Sequence, residues 1–107
     1  RISSTGFFIA CQEGHTKVIE ILMKSHSPNG KNELNTNLNL PLYDGTTPLY
    51  IACEKGRIDV VKLLIKDERV DVNLETYCDR STPFSVACQE GHLEIVQLLM
   101  NDERVDV

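Results

Sequence analysis

The apolar positions of residues 58–66 fall at helical spacing. Ile58, Val61, Leu64 and Ile65 share one face, and Val60 and Leu63 widen the stripe. This pattern predicts a helix from about Ile58 to Lys66, and a second of the same kind from about Leu93 to Asn101. Asp59 and Glu94 stand in the first turns, where negative charge suits the helix dipole. Ahead of each helix lies a shorter helical segment of about two turns, opened by Thr47-Pro48 or Thr82-Pro83. A threonine at the N-cap accepts a bond from an orphan backbone N–H. Proline at the first helical position gives up only an N–H that would be unpaired there. Gly56 and Gly91 close the short segments, because glycine suits the left-handed residue that ends a helix.

These segments recur. Thr47-Pro48-Leu49-Tyr50-Ile51-Ala52-Cys53-Glu54-Lys55-Gly56 returns as Thr82-Pro83-Phe84-Ser85-Val86-Ala87-Cys88-Gln89-Glu90-Gly91, an offset of 35 residues. An earlier copy, from Thr5 to Gly14, precedes Thr47 by 42. Asp67-Glu68-Arg69-Val70-Asp71-Val72 returns unchanged as residues 102–107. One helix pair cannot bury its own apolar face, so stacking of successive pairs must create the core. Ala52 and Ala87 are small where neighbouring units approach closely.

The run Asp44-Gly45-Thr46-Thr47-Pro48-Leu49 through Gly56 resembles the ankyrin signature of a turn, Thr-Pro-Leu-His and an Ala-rich first helix. Gly91-His92-Leu93 resembles the Gly-His start of the second helix, and Asn73 the Asn that follows it. The resemblance covers essentially the whole chain. It implies an all-α solenoid of helix–turn–helix units joined by turns or β-hairpin-like loops. Residues 1–107 form one such domain, with units at about 1–41, 42–76 and 77–107, the first and last incomplete. The unit length of 35 exceeds the usual 33 or so, with one extra residue in 67–72 and one in 74–78. The histidine of the family pattern is replaced by Phe8, Tyr50 and Ser85. The first unit has Gly6 in place of the proline and lacks the Asp-Gly turn, so a weaker helix start is expected near Thr5. Its seven extra residues fall in 25–40, an Asn-rich stretch with Pro28 and Gly30 that reads as a long loop. The chain opens with Arg1 and both ends fall inside a repeat, so a piece of a longer protein is expected.

Charge narrows the function. The 107 residues carry 11 Lys+Arg against 16 Asp+Glu, a formal charge of -5, which gives no basis for nucleic-acid binding. No apolar run approaches a membrane span, and no signal segment or Asn-x-Ser/Thr acceptor is present. A reducing, cytoplasmic setting is expected. Cys11, Cys53 and Cys88 hold one position in successive units. Neighbours would then lie about 8–10 Å apart, beyond the ~7 Å limit for a disulfide. They read as small buried hydrophobes, and Cys78 as a free thiol in a turn. Cys11-x-x-x-His15 and Cys88-x-x-x-His92 look like halves of a zinc site, but the middle unit has Arg57, and the halves stand two repeats apart, about 16–20 Å. That separation excludes shared ligation at about 2 Å. The acidic pairs Asp67-Glu68 and Asp102-Glu103 lack calcium-loop spacing and read as solvated loops beside Arg69 and Arg104. No nucleophile–base pair or phosphate loop stands out, so no catalysis, cofactor or metal is expected.

The resemblance implies binding of another protein through the turn fingers and the exposed face of the first helices. In the second unit these positions are Tyr43, Asp44, Thr46, Tyr50, Glu54 and Lys55. In the third they are Tyr77, Asp79, Ser81, Ser85, Gln89 and Glu90, and Gln12 and Glu13 extend the surface into the first. Tyrosine adds contact area at low entropy cost. The second helices are left to packing and solubility. The alternative is an ankyrin segment of a larger enzyme or channel, where it regulates or recruits.

Overall fold

The computed structural model describes residues 2–24 and 38–106, with side chains from Gly6 onward. The long loop expected at 25–40 lies outside the described residues except for its last three. Among the described residues there are six helices and no strand: α1 Ile2–Glu13, α2 Thr16–Lys24, α3 Pro48–Lys55, α4 Ile58–Ile65, α5 Pro83–Glu90 and α6 Leu93–Met100.

Proline sets where α3 and α5 begin. A residue before proline is pushed out of the helical region. Thr47 and Thr82 are accordingly extended, with φ -96° and -98° and ψ 166°. Their hydroxyls accept from the backbone N–H of Tyr50 at 3.2 Å and of Ser85 at 3.1 Å. Ser85 returns the bond: its Oγ accepts from the Thr82 N–H at 3.2 Å and completes a capping box. The family's histidine is therefore replaced here by a residue that still serves the cap. The first unit differs from expectation. With Gly6 in place of proline, nothing bars Thr5 from helical geometry, and α1 runs straight through both residues. Thr5 is thus a helix-interior residue, not a cap.

The helices pack in two layers. α1, α3 and α5 follow one another in the first, and α2, α4 and α6 in the second. Phe7, Ile19, Leu49, Leu64, Ile95 and Leu99 are fully buried between them. Burial at a repeat position depends on the neighbouring unit. Ile51 and Val86 are 8% and 2% exposed, whereas their counterpart Ile9, with no described unit before it, is 49% exposed. The same rule corrects the reading of the cysteines. Cys11 and Cys53 are fully buried, but Cys88 is exposed, because no described residue stacks beyond it. All four thiols are free, and Cys78 is exposed as its turn position implied. Burial pushes the thiols of Cys11 and Cys53 up to about 12.

Side chains of each unit also satisfy the backbone of the unit before it. Arg57 Nε donates to the Gln12 carbonyl at 2.9 Å, and His92 Nε2 lies 3.0 Å from the equivalent Glu54 carbonyl. A carbonyl only accepts, so this bond places the His92 proton on Nε2. Asp67 and Asp102 each hold the arginine two residues on through both carboxylate oxygens. The guanidinium so fixed reaches back: Arg104 Nη2 donates to Ile65 O at 2.5 Å, and Arg69 Nη2 to Met23 O at 3.4 Å. Both carbonyls lie at or near the end of a second helix, where such groups lack partners and a cation suits the dipole. Asn39 and Asn73 work forward. Asn73 donates to Arg104 O at 2.8 Å and accepts from Asp106 N at 2.8 Å. Asn39 does the same for Arg69 O and Asp71 N, at 2.7 and 2.6 Å.

Replacing Thr47 with Ala removes a side-chain cap and should cost about 1 kcal/mol in urea unfolding. Thr5→Ala should leave stability unchanged or raise it by a few tenths of a kcal/mol, since alanine is the better helix former. Equal losses at the two sites would restore Thr5 as a cap.

The buried thiols give a second expectation. In folded protein a thiol reagent should modify Cys78 and Cys88 rapidly and Cys11 and Cys53 only on unfolding. Their raised values mean that the native state holds protons that the unfolded chain releases from about pH 9 upward. This contribution to stability is complete below pH 9 and falls between 9 and about 12, by about 1.4 kcal/mol per pH unit for each thiol. Urea midpoints at pH 8 and 10 should therefore differ less in Cys53→Ala than in the natural chain. An unchanged difference would contradict the assignment.

Candidate binding surface

Two turn fingers precede α3 and α5. In the first, Leu42 N donates to Thr46 O at 2.8 Å and Gly45 N to Leu42 O at 2.9 Å. Thr46 N donates to Asp44 Oδ1 at 3.0 Å, and Gly45 takes φ +88°. In the second, Thr76 N donates to Ser81 O at 3.0 Å, and the Thr76 hydroxyl accepts from Ser81 N at 3.1 Å. Arg80, with φ +55°, holds the position that Gly45 has in the first finger.

The fingers are tied together. Tyr77 N donates to Asp44 O at 3.0 Å. The Tyr77 ring is laid over Gly45, so closely that a methyl group added there would stand 2.8 Å from both the Tyr77 nitrogen and its Cδ1. Glycine is required here for its backbone conformation and for the space. Between the fingers so joined and α3 lies a cavity of about 280 Å³.

Five of the sequence-predicted residues line that cavity: Asp44, Thr46, Tyr50, Glu54 and Asp79. Thr46 is nearly buried, and Tyr50 is half-buried against the core, so these two form walls. Tyr43 is 94% exposed and does not line the cavity; Tyr77 is 63% exposed and is turned onto Gly45. Lys55, Gln89 and Glu90 are exposed at the ends of α3 and α5, outside it. Ser85 is exposed with its hydroxyl engaged in the cap, and Ser81 is half-buried in the second finger. Gln12 is half-buried with its carbonyl held by Arg57, and Glu13 is exposed.

Sequence reasoning missed two lining residues, Thr76 and Cys78. Cys78 was accessible to it: 35 positions separate Cys78 from Tyr43, so the two occupy the same place on successive fingers. Thr76 carries no such signal, because its counterpart 35 positions earlier is Pro41.

Three carboxylates face the cavity. The Thr46 hydroxyl, and after it the Thr46 N–H, hold the Asp44 carboxyl below its ordinary value. Ion pairs among the described residues join Arg69 to Asp67, Arg80 to Glu75 and Arg104 to Asp102. None of these involves Asp44, Glu54 or Asp79. No group of three or more His, Cys, Asp or Glu among the described residues is placed to hold a metal ion. No described helix is long and apolar enough to cross a membrane. Carboxylate, hydroxyl, aromatic ring and open concavity together make a surface suited to holding a side chain of another molecule.

A family model for ankyrin repeats in three copies matches residues 7–107. Among curated proteins, none matches the chain. The three described helix pairs share one register, one glycine-closed first helix and one set of inter-unit bonds. On the family match and this architecture, the chain belongs to the ankyrin repeat family.

Proposed function

We propose that this chain is a non-catalytic protein-interaction module, a scaffold or adaptor segment of a larger protein, in a reducing cytoplasmic setting. Ankyrin repeats are in general protein–protein interaction modules. Its units run at about 1–41, 42–76 and 77–107. The partner is another protein, and it meets the fingers and the first helices at the positions named from the sequence. One observation carries this reading: the tied fingers open a cavity lined by Asp44, Tyr50, Glu54 and Asp79, beside a fully presented Tyr43. Large exposed aromatic area next to polar groups is a common composition for binding sites. The second helices offer Lys62 and Gln97 to solvent and act in packing and solubility.

Affinity capture with three baits tests this. The natural chain should retain a set of proteins that Tyr43→Ala/Gln89→Ala loses at least tenfold and Lys62→Ala/Gln97→Ala keeps. Both double variants should melt within a few degrees of the natural chain, since all four side chains are exposed. Tyr50 is left intact because it packs on the core. Loss of the captured set only on changing Lys62 and Gln97 would place the interface on the second helices.

A further inference from the structure

The charge of the cavity between the fingers points to the chemistry of the partner. Asp44, Glu54 and Asp79 converge on one cavity that no basic side chain lines. Glu13 and Glu90 extend the same sign at the ends of α1 and α5. The cations nearest in sequence do not line the cavity. Arg80 is paired with Glu75 at 3.2 Å, and Lys55 is exposed at the end of α3 without lining it. The second helices, in contrast, carry a mixed surface, with Lys17, Lys24 and Lys62 beside Glu20, Asp59 and Glu94. The loops that follow the second helices, 67–72 and 102–107, add six carboxylates against Arg69 and Arg104, so the finger side is acidic but holds only part of the excess negative charge.

Two further features give this charge a shape. The Tyr50 ring lines the cavity with the carboxylates, so a cation entering it meets an aromatic ring as well as counter-charge. The volume of about 280 Å³ lies just under the range of about 300–1,000 Å³ usual for small-molecule pockets. It suits one long side chain from an extended segment, with Tyr43 outside to cover the flanking residues. We infer that the groove between the two fingers docks a basic peptide segment, with one Arg or Lys of the partner seated between Asp44, Glu54 and Asp79 against Tyr50. This inference rests on the proposed role of the finger face in protein binding and names the class of partner.

Selection of a displayed library of random 12-residue peptides against the whole chain tests it. The expected winners carry at least one Arg or Lys in a common register. A labelled winning peptide should bind at least tenfold more weakly to Glu54→Gln, and at least tenfold more weakly at 500 mM than at 50 mM salt. Glu54 is the preferred change because its side chain makes no ion pair among the described residues and it lies half-exposed on the helix surface. The charge reversal Glu54→Lys should turn selection toward acidic peptides, which a merely structural role for Glu54 would not do. Cys78 lines the groove, so its modification by a thiol reagent, read in Cys88→Ser, should slow when a winning peptide is bound. Winners without basic residues that are lost in Tyr43→Ala would overturn the basic class and leave the finger face standing as the interface. Winners indifferent to both Glu54→Gln and Tyr43→Ala, or no winners at all, would overturn the inference; indifferent winners would count against the finger face too.

Discussion

Each unit of this chain leaves polar backbone and apolar surface that only the next unit can cover. That constraint organises the molecule. The carbonyls of Gln12 and Glu54, at the ends of first helices, are met by Arg57 and His92 from the following unit. Ile65 O, at the end of α4, is met by Arg104. These bonds are part-buried or exposed, and each typically contributes about 0.5–1.5 kcal/mol net, so together they tie the stability of a unit to the presence of its neighbour. The aspartates at 67 and 102 contribute by holding each arginine in a fixed fork before it reaches across.

The same stacking builds the proposed binding surface. The cavity does not belong to either finger. Asp44 and Thr46 come from one, Thr76, Cys78 and Asp79 from the other, and Tyr50 and Glu54 from the helix between them. It keeps its shape because Tyr77 is pressed onto Gly45 and bonded to Asp44 O. A surface assembled across units in this way inherits its rigidity from the core, which favours binding by limiting what must be ordered on contact.

Much of this was legible in the residues. The Thr-Pro starts, the glycine ends and the apolar stripe located α3 to α6 to within a residue, because caps and periodicity act locally. The first helix was read less well. Thr5 carried the right residue type, but its capping role depended on a proline that Gly6 does not supply. Cys88 was read as buried on its identity with Cys11 and Cys53, whereas burial is a property of the neighbouring unit. Arg69 and Arg104 were read as solvated partners of acidic loops; their bonds to Met23 and Ile65 cross units and leave no trace in local pattern. Asn39 was hidden inside the long loop, although Leu38-Asn39-Leu40 matches Val72-Asn73-Leu74 in kind. The aromatic fingers were identified, but not that Tyr77 would turn inward while Tyr43 stands free. Tyr77 is turned by its packing on Gly45, a contact between residues 32 positions apart.

Three glycines separate the stacking constraint from ordinary backbone strain. Gly45, Gly56 and Gly91 all have positive φ, at +88°, +75° and +73°. Alanine in that region costs about 1–2 kcal/mol wherever it stands. At Gly91 nothing lies within 4 Å of an added Cβ, at Gly56 the His92 ring lies 2.8 Å away, and at Gly45 the backbone nitrogen of Tyr77 lies 2.8 Å away. A side chain can shift aside and a backbone held in the next finger cannot. Urea unfolding of the three single alanine variants is therefore the most direct test. If the approach of neighbouring units governs the fold, Gly91→Ala loses only the backbone term, Gly56→Ala loses more, and Gly45→Ala loses most. Equal losses at all three would contradict it.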